Sequence, residues 1–318
     1  MQCLARNLVA IGLLFLAVAA QASTPPRVSV SIAPLHSLVA NLMLGVAEPE
    51  MIYEATQSPH SGALTPFQLR TIVNTDLLIW VGPELEVGLS RLITRLPQQA
   101  VALTLHDYDA GMELYPMRDT LFDTHGHWPG HDHDHGDTDP HFWLSIENMT
   151  LFARAIATHL AEMDPANADQ YQANETRLIA RLRALDLHLS EQLAKVGEVP
   201  YIVLHDGFQY FDRAYSLNAL GALVLNPDIP PGPRTVANLA EIGKQQDSLC
   251  LFHEPQYSER WMQPLTQAIP EASVGQIDPL GANLSPGPSL YFDMMTALSD
   301  NLLACFTAVE NNLMQGQP

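Results

Sequence analysis

Residues 167–196 read NADQYQANETRLIARLRALDLHLSEQLAKV. Leu178, Leu182, Leu185, Leu189, Leu193 and Val196 recur at steps of three and four, which lines one face of an α-helix. Asp164-Pro165 supplies a start and Gly197 a stop. At about 1.5 Å per residue, such a helix is a rod of roughly 45 Å. One small lobe has no use for a rod of that length. The stretch therefore reads as a helix linking two lobes, 23–166 before it and 197–318 after it.

Both flanks carry the same rhythm. Before the helix, 27–33 is rich in β-branched residues and 35–44 is helical up to Gly45. A short apolar run at 77–81 closes on Gly82-Pro83, 84–96 is helical and 101–105 is another strand. After the helix, strands are expected at 200–204, 222–225, 248–253 and 274–277, with helices at 208–215, 234–245 and 288–306. Strands alternating with helices imply mostly parallel sheets covered on both faces. The expected fold is α/β, two Rossmann-like lobes joined by a single long helix. Such a connection predicts smaller lobe motion than several flexible crossings allow. The segment 106–140 breaks the rhythm. It is polar and acidic with no period, and a loop of that length is usually functional or disordered.

Near its start the 318-residue chain carries one basic residue, Arg6, then an apolar run over 8–20 and Ala20-Gln21-Ala22. This is the layout of a secretory signal peptide, 1–22. The apolar run is shorter than the roughly 20 residues a bilayer span needs. Cys3 precedes that run and is not placed for lipid attachment. The expectation is an exported chain with no membrane insertion after cleavage. A formal charge of −20 opposes nucleic acid and anionic lipid and suits a cationic ligand. Cys250 and Cys305 remain after cleavage. In an exported protein such a pair is most simply a disulfide, the other reading being two buried thiols.

Thirteen histidines is a high number for this length. His125, His127, His131, His133 and His135 crowd into one stretch with Asp132 and Asp134, a composition that binds metal ions from a flexible loop. Three others follow predicted strands, where parallel sheets place ligands. His60 comes after Gln57-Ser58-Pro59, His141 sits in Asp139-Pro140-His141, and His205 directly ends the strand at 200–204. Asp278 bears the same relation to the strand ending at Ile277. Any one of these histidines reads as an ordinary hydrogen-bonded residue. Together, two from each lobe, the four side chains can converge in the interlobe cleft. Three imidazoles and one oxygen suit tetrahedral zinc, whereas manganese or magnesium would want more carboxylates. Asp206 could instead hold a ligand's second ring nitrogen. His36, His106, His159, His188 and His253 read as structural or surface residues.

These stretches resemble the zinc-specific substrate-binding proteins of bacterial zinc ABC importers. The resemblance rests on Ser58-Pro59-His60, on Asp139-Pro140-His141-Phe142-Trp143-Leu144-Ser145 and on His205-Asp206-Gly207-Phe208. Asn226-Pro227-Asp228, Glu254-Pro255-Gln256-Tyr257 and Asp278-Pro279-Leu280-Gly281 follow in family order. It implies a periplasmic protein with Zn2+ held by His60, His141 and His205 and delivered to an inner-membrane ABC permease, the protein itself being a monomer. Manganese-binding relatives typically carry Glu at the position of His205, so His205 points to zinc. Asp278 matches a position that supplies the fourth ligand in some relatives, while water fills it in others. Proteobacterial members of the zinc type also carry a disulfide like Cys250–Cys305.

Two other functions compete. Three histidines with an open position are also a hydrolase pattern, although the sequence has no H-E-x-x-H, G-x-S-x-G or phosphate loop. A surface adhesin, the role of some relatives, lacks the lipid-attachment cysteine it would need.

Overall fold

The computed structural model describes residues 24–108, 111–122, 138–194 and 199–315. The expected signal peptide and the five histidines at 125–135 lie outside the described residues. The first sheet holds β1 (Val28–Val30), β2 (Glu50–Met51), β3 (Leu77–Trp80) and β4 (Val101–Thr104), in the order β2-β1-β3-β4. The second holds β5 (Tyr201–His205), β6 (Ala219–Val224), β7 (Cys250–His253) and β8 (Ser273–Gln276), in the order β6-β5-β7-β8. Every pairing within both sheets is parallel. The α-helices are α1 (Ala33–Leu42), α2 (Pro66–Val73), α3 (Val87–Ile93), α4 (Ile146–Met163), α5 (Ala168–Leu193), α6 (Gln209–Ala214), α7 (Pro233–Gly243), α8 (Gln263–Ala268) and α9 (Leu290–Gln315).

Side chains of a strand alternate between faces, and each sheet uses both. In β3, Leu77 and Ile79 enter one apolar cluster while Leu78 and Trp80 enter another. In β5, Tyr201 and Val203 face the first of these clusters, and Ile202 and Leu204 face a third. The inner faces of the two sheets thus share one continuous core, and each sheet has its own outer cluster. Little room is left for the lobes to move independently, because a close-packed interior does not deform gradually.

The stretch read as a connecting rod is α5, with Leu178, Leu182, Leu185, Leu189 and Leu193 buried on one side. Its first half binds the end of α1, where Asn174 Nδ2 donates to the carbonyls of Leu42 at 2.7 Å and Leu44 at 2.9 Å. Its second half binds elements that follow it. Asp186 accepts from the Tyr215 hydroxyl at 3.0 Å, and Gln192 accepts from Ser299 Oγ at 3.0 Å. α9 runs as a companion. It packs on α1, where Tyr291 N–H donates to Ser37 Oγ at 3.1 Å, and also against β7 and β8.

Cys250 and Cys305 form a disulfide that ties β7 to α9 across 55 residues of sequence. Closing a loop of that length restricts the unfolded chain. Reduction is expected to cost about 2–4 kcal/mol of stability. Unfolding midpoints with and without reductant check this, and coincident midpoints would contradict it.

Candidate metal centre

Three different local structures deliver the histidines. His60 lies on a turn in which Ser61 N–H donates to Ser58 O at 3.3 Å. Pro59 takes the second position of that turn, which its fixed φ favours. His141 precedes a short 3-10 turn, Phe142–Leu144, anchored by three buried apolar side chains. Trp143 Nε1 donates to Pro279 O at 2.9 Å and fixes this turn against the second half. His205 is the last residue of β5 and leaves the sheet at its carboxyl edge.

The rings converge. Their centroids are 5.5 Å apart for His60 and His141, 5.1 Å for His60 and His205, and 4.8 Å for His141 and His205. One ligand atom from each residue lies within 4.8 Å of the others, and among the described residues these three form a group that could hold a metal ion.

Two of the imidazoles are oriented by buried carboxylates. Asp139 Oδ1 accepts from the His141 backbone N–H at 2.9 Å and stands 2.7 Å from His141 Nδ1. Glu254 Oε1 stands 3.4 Å from His205 Nδ1. A carboxylate at Nδ1 favours the proton there and leaves the Nε2 lone pair for a metal. Both Nε2 atoms are buried with no hydrogen-bond partner. Leaving such an atom unmatched costs about 1–3 kcal/mol. Two of them in one group with a third imidazole therefore make an arrangement suited to a cation.

Charge around the site follows burial. Burial holds His60 well below the ordinary imidazole range, with the neighbouring His205 and His141 adding to the effect. Burial likewise holds His141 low, helped by His205 and Arg118. Burial also pulls on His205, but Glu254, Asp206 and Asp139 outweigh it, and its pKa is raised. Burial pushes Asp139 up to about 6 and raises Glu254.

Asp206 is held by Arg118 instead of by an imidazole among the described contacts: Arg118 donates to it from Nε at 3.1 and 3.2 Å and from Nη2, while Nη1 donates to Asp212 Oδ2 at 3.0 Å. The partner of His205 is Glu254, one residue past His253. Arg118 belongs to a strap, 111–122, that crosses to the second sheet. There Ala222 N–H donates to Thr120 O at 2.9 Å and Phe122 N–H donates to Leu220 O at 3.0 Å. Gly221 is needed for this pairing, because a Cβ there would stand 2.5 Å from Thr120 O. Gly207 is needed at the site itself, where a Cβ would stand 3.0 Å from His205 Cε1 and 3.3 Å from His141 Cδ2.

Asp278 is placed past β8 but is not in the converging group. Its Oδ1 accepts from Gln256 Nε2 at 2.7 Å, Leu280 N–H at 3.0 Å and Gly281 N–H at 2.9 Å, and its Oδ2 accepts from Ala282 N–H at 2.5 Å. The remaining described histidines lie outside the group as well. His36 Nε2 contacts Pro49 O at 3.0 Å, His106 lies near Glu84 and Asp107, His159 lies near Glu162, and His188 is exposed on α5.

Fold and site together define a two-lobed parallel α/β protein built around a three-histidine cleft. Residues 28–305 match the sequence model of the family described as "Zinc-uptake complex component A periplasmic", and the chain belongs to that family. The high-affinity zinc uptake system protein ZnuA of Brucella suis is 31% identical over 306 residues, which covers 88% of this chain and 91% of that one. ZnuA of Haemophilus ducreyi is 31% identical over 288 residues, covering 87% and 92%. Among solved structures, the periplasmic zinc-binding protein TroA from Treponema pallidum matches the fold with a TM-score of 0.74 at 18% identity, covering 89% of this chain and 99% of that one. Among the described residues, no helix is long and apolar enough to cross a membrane.

Proposed function

We propose that this chain captures zinc in the periplasm through His60, His141 and His205 and passes it, as a monomer, to an inner-membrane ABC permease. The observation that carries the reading is the convergence of three imidazoles, two of them oriented from behind by Asp139 and Glu254. Three nitrogen donors favour zinc over the hard, oxygen-seeking cations. Tetrahedral zinc holds its nitrogens about 3.4 Å apart. A group already within 4.8 Å needs only a small inward adjustment, which agrees with a shared core that resists large lobe motion. The relatives named for high-affinity zinc uptake support the same role. The hydrolase alternative gains no support from a family named for uptake.

The fourth coordination place goes to Asp278 or to water. Asp278 would have to trade at least one of its present donors for the ion. The histidines at 125–135 would raise the local zinc concentration by tethering weak sites nearby. The flanks of that segment are anchored, with Leu121 bridged to Gly221 and Thr138 bridged to Pro116, and His141 follows shortly after Thr138. Titration of the purified chain against a competing chelator tests the main reading. One tight zinc per chain is expected, and absence of tight binding would overturn it.

The pH dependence follows from the shifts. A protonated imidazole cannot ligate. His205 holds its proton most firmly of the three, because its pKa is raised while those of His60 and His141 are lowered. Zinc affinity is expected to fall roughly tenfold per unit as pH drops through the His205 pKa, which lies above the ordinary imidazole value. The other two would join only at lower pH and steepen the fall. Dissociation constants measured from pH 8 to 5 check this. A flat profile would exclude histidine ligation.

A further inference from the structure

The segment Glu254-Pro255-Gln256-Tyr257, which follows β7, touches both sides of the metal centre. Glu254 stands against His205 Nδ1. Gln256 Nε2 donates to Ala55 O at 3.1 Å and to Asp278 Oδ1 at 2.7 Å. The Tyr257 hydroxyl lies 3.1 Å from Ser58 Oγ, and its ring meets His205 edge-on with centroids 6.0 Å apart. Ala55 and Ser58 belong to the loop that delivers His60. Four consecutive residues of the second half therefore hold one histidine directly and grip the loop of another.

His60 is the histidine that needs such help. His141 and His205 are each buried and each backed by a carboxylate. His60 is only partly buried, sits on a turn and has no carboxylate partner among the described contacts. Within the first half, its loop is tied mainly at the root, where Gln68 Nε2 donates to Ile52 O at 2.9 Å and to Gln57 Oε1 at 2.8 Å. Contact with the second half comes from Gln256 and Tyr257. We propose that these two are positioning residues, which carry His60 into register with His205. Docking of the His60 loop on the second half and completion of the zinc coordination are then a single event, and zinc release requires the same two hydrogen bonds to open. The inference rests on the zinc-site reading above.

The test is zinc release into excess chelator, followed by stopped flow, for the full chain and for Tyr257→Phe, Gln256→Ala, His60→Ala and the double variant His60→Ala/Tyr257→Phe. Cobalt(II) absorption, which reports coordination geometry, is recorded for each. Loss of a residue that supports a ligand typically changes metal affinity by about 10–100-fold. Tyr257→Phe and Gln256→Ala are each expected to speed release by about 10-fold or more and to alter the cobalt band. In the His60→Ala background, Tyr257→Phe is expected to add nothing, since its route to the metal is gone. Release at the wild-type rate in both single variants would overturn the proposal. So would an equal acceleration with and without His60, which would mark a purely structural role. Unchanged release in His60→Ala alone would instead overturn the ligand assignment on which the proposal depends.

Discussion

His205→Ala is expected to weaken zinc binding by more than about 100-fold, beyond the 10–100-fold typical of losing a residue that only supports a ligand. His205 joins the two halves at the site, since it ends β5 while the other two rings come from the first half. Its removal takes away one of three nitrogen donors and leaves Glu254 buried without its partner. Burial already raises Glu254, so the carboxyl can take up a proton and remain in place. The fold should then survive while the affinity does not. Asp139→Asn acts one step further from the metal, through His141 Nδ1, and its loss should stay within the range for supporting residues. Competition titration with a chelator measures both. A loss of less than tenfold in His205→Ala would remove this residue from the site.

Arg118→Ala is expected to destabilise the chain by about 3–5 kcal/mol near neutral pH, the range for breaking a buried ion pair from one side. Arg118 is 16% exposed, and its partners Asp206 and Asp212 are 4% and 6% exposed. Without the guanidinium these two carboxylates are buried near each other, with the Tyr201 hydroxyl still donating to Asp212. The strap also loses the contact of Arg118 with the Phe122 ring, 3.6 Å from its centroid. The sign of the pH effect is fixed by which form needs a counter-charge. Burial pushes Asp212 up to about 6 even with Arg118 present, and removing the arginine raises it further. A carboxyl whose folded pKa is raised contributes stability below its unfolded value, and that contribution is lost as pH rises through the folded value. The penalty of the variant should therefore be larger near pH 7.5 than below about pH 5. Denaturant unfolding of the metal-free protein at the two pH values checks it. A loss below about 1 kcal/mol at pH 7.5 would contradict the account.

Periodic and contiguous features were legible in the sequence. α5 could be read because five leucines repeat on one face. The strands that end beside ligands could be read because parallel strands are short, continuously apolar runs. α2 could not, because Phe67, Leu69 and Val73 are exposed and blur its buried face. At the site, the histidines were visible because each follows a strand or a turn. Their supports were not. Glu254 is 49 residues from His205, and Arg118 is 88 residues from Asp206 in a segment without rhythm. Contacts of that kind are made by the tertiary fold and leave no local spacing. Gly207 could have been suspected, since a glycine two residues past a strand-end histidine suggests close backbone approach. The disulfide was readable from the count of cysteines and the expected export signal, and its two residues are joined.

The central claim is that one zinc ion binds where the three imidazoles meet. Crystals of the zinc-loaded chain, measured on both sides of the zinc absorption edge, test it most directly. The account predicts one strong anomalous peak about 2.0–2.1 Å from a ring nitrogen of each of His60, His141 and His205, with Asp278 or a water in the fourth place. A strong peak elsewhere, with these three rings out of reach of the metal, would contradict it.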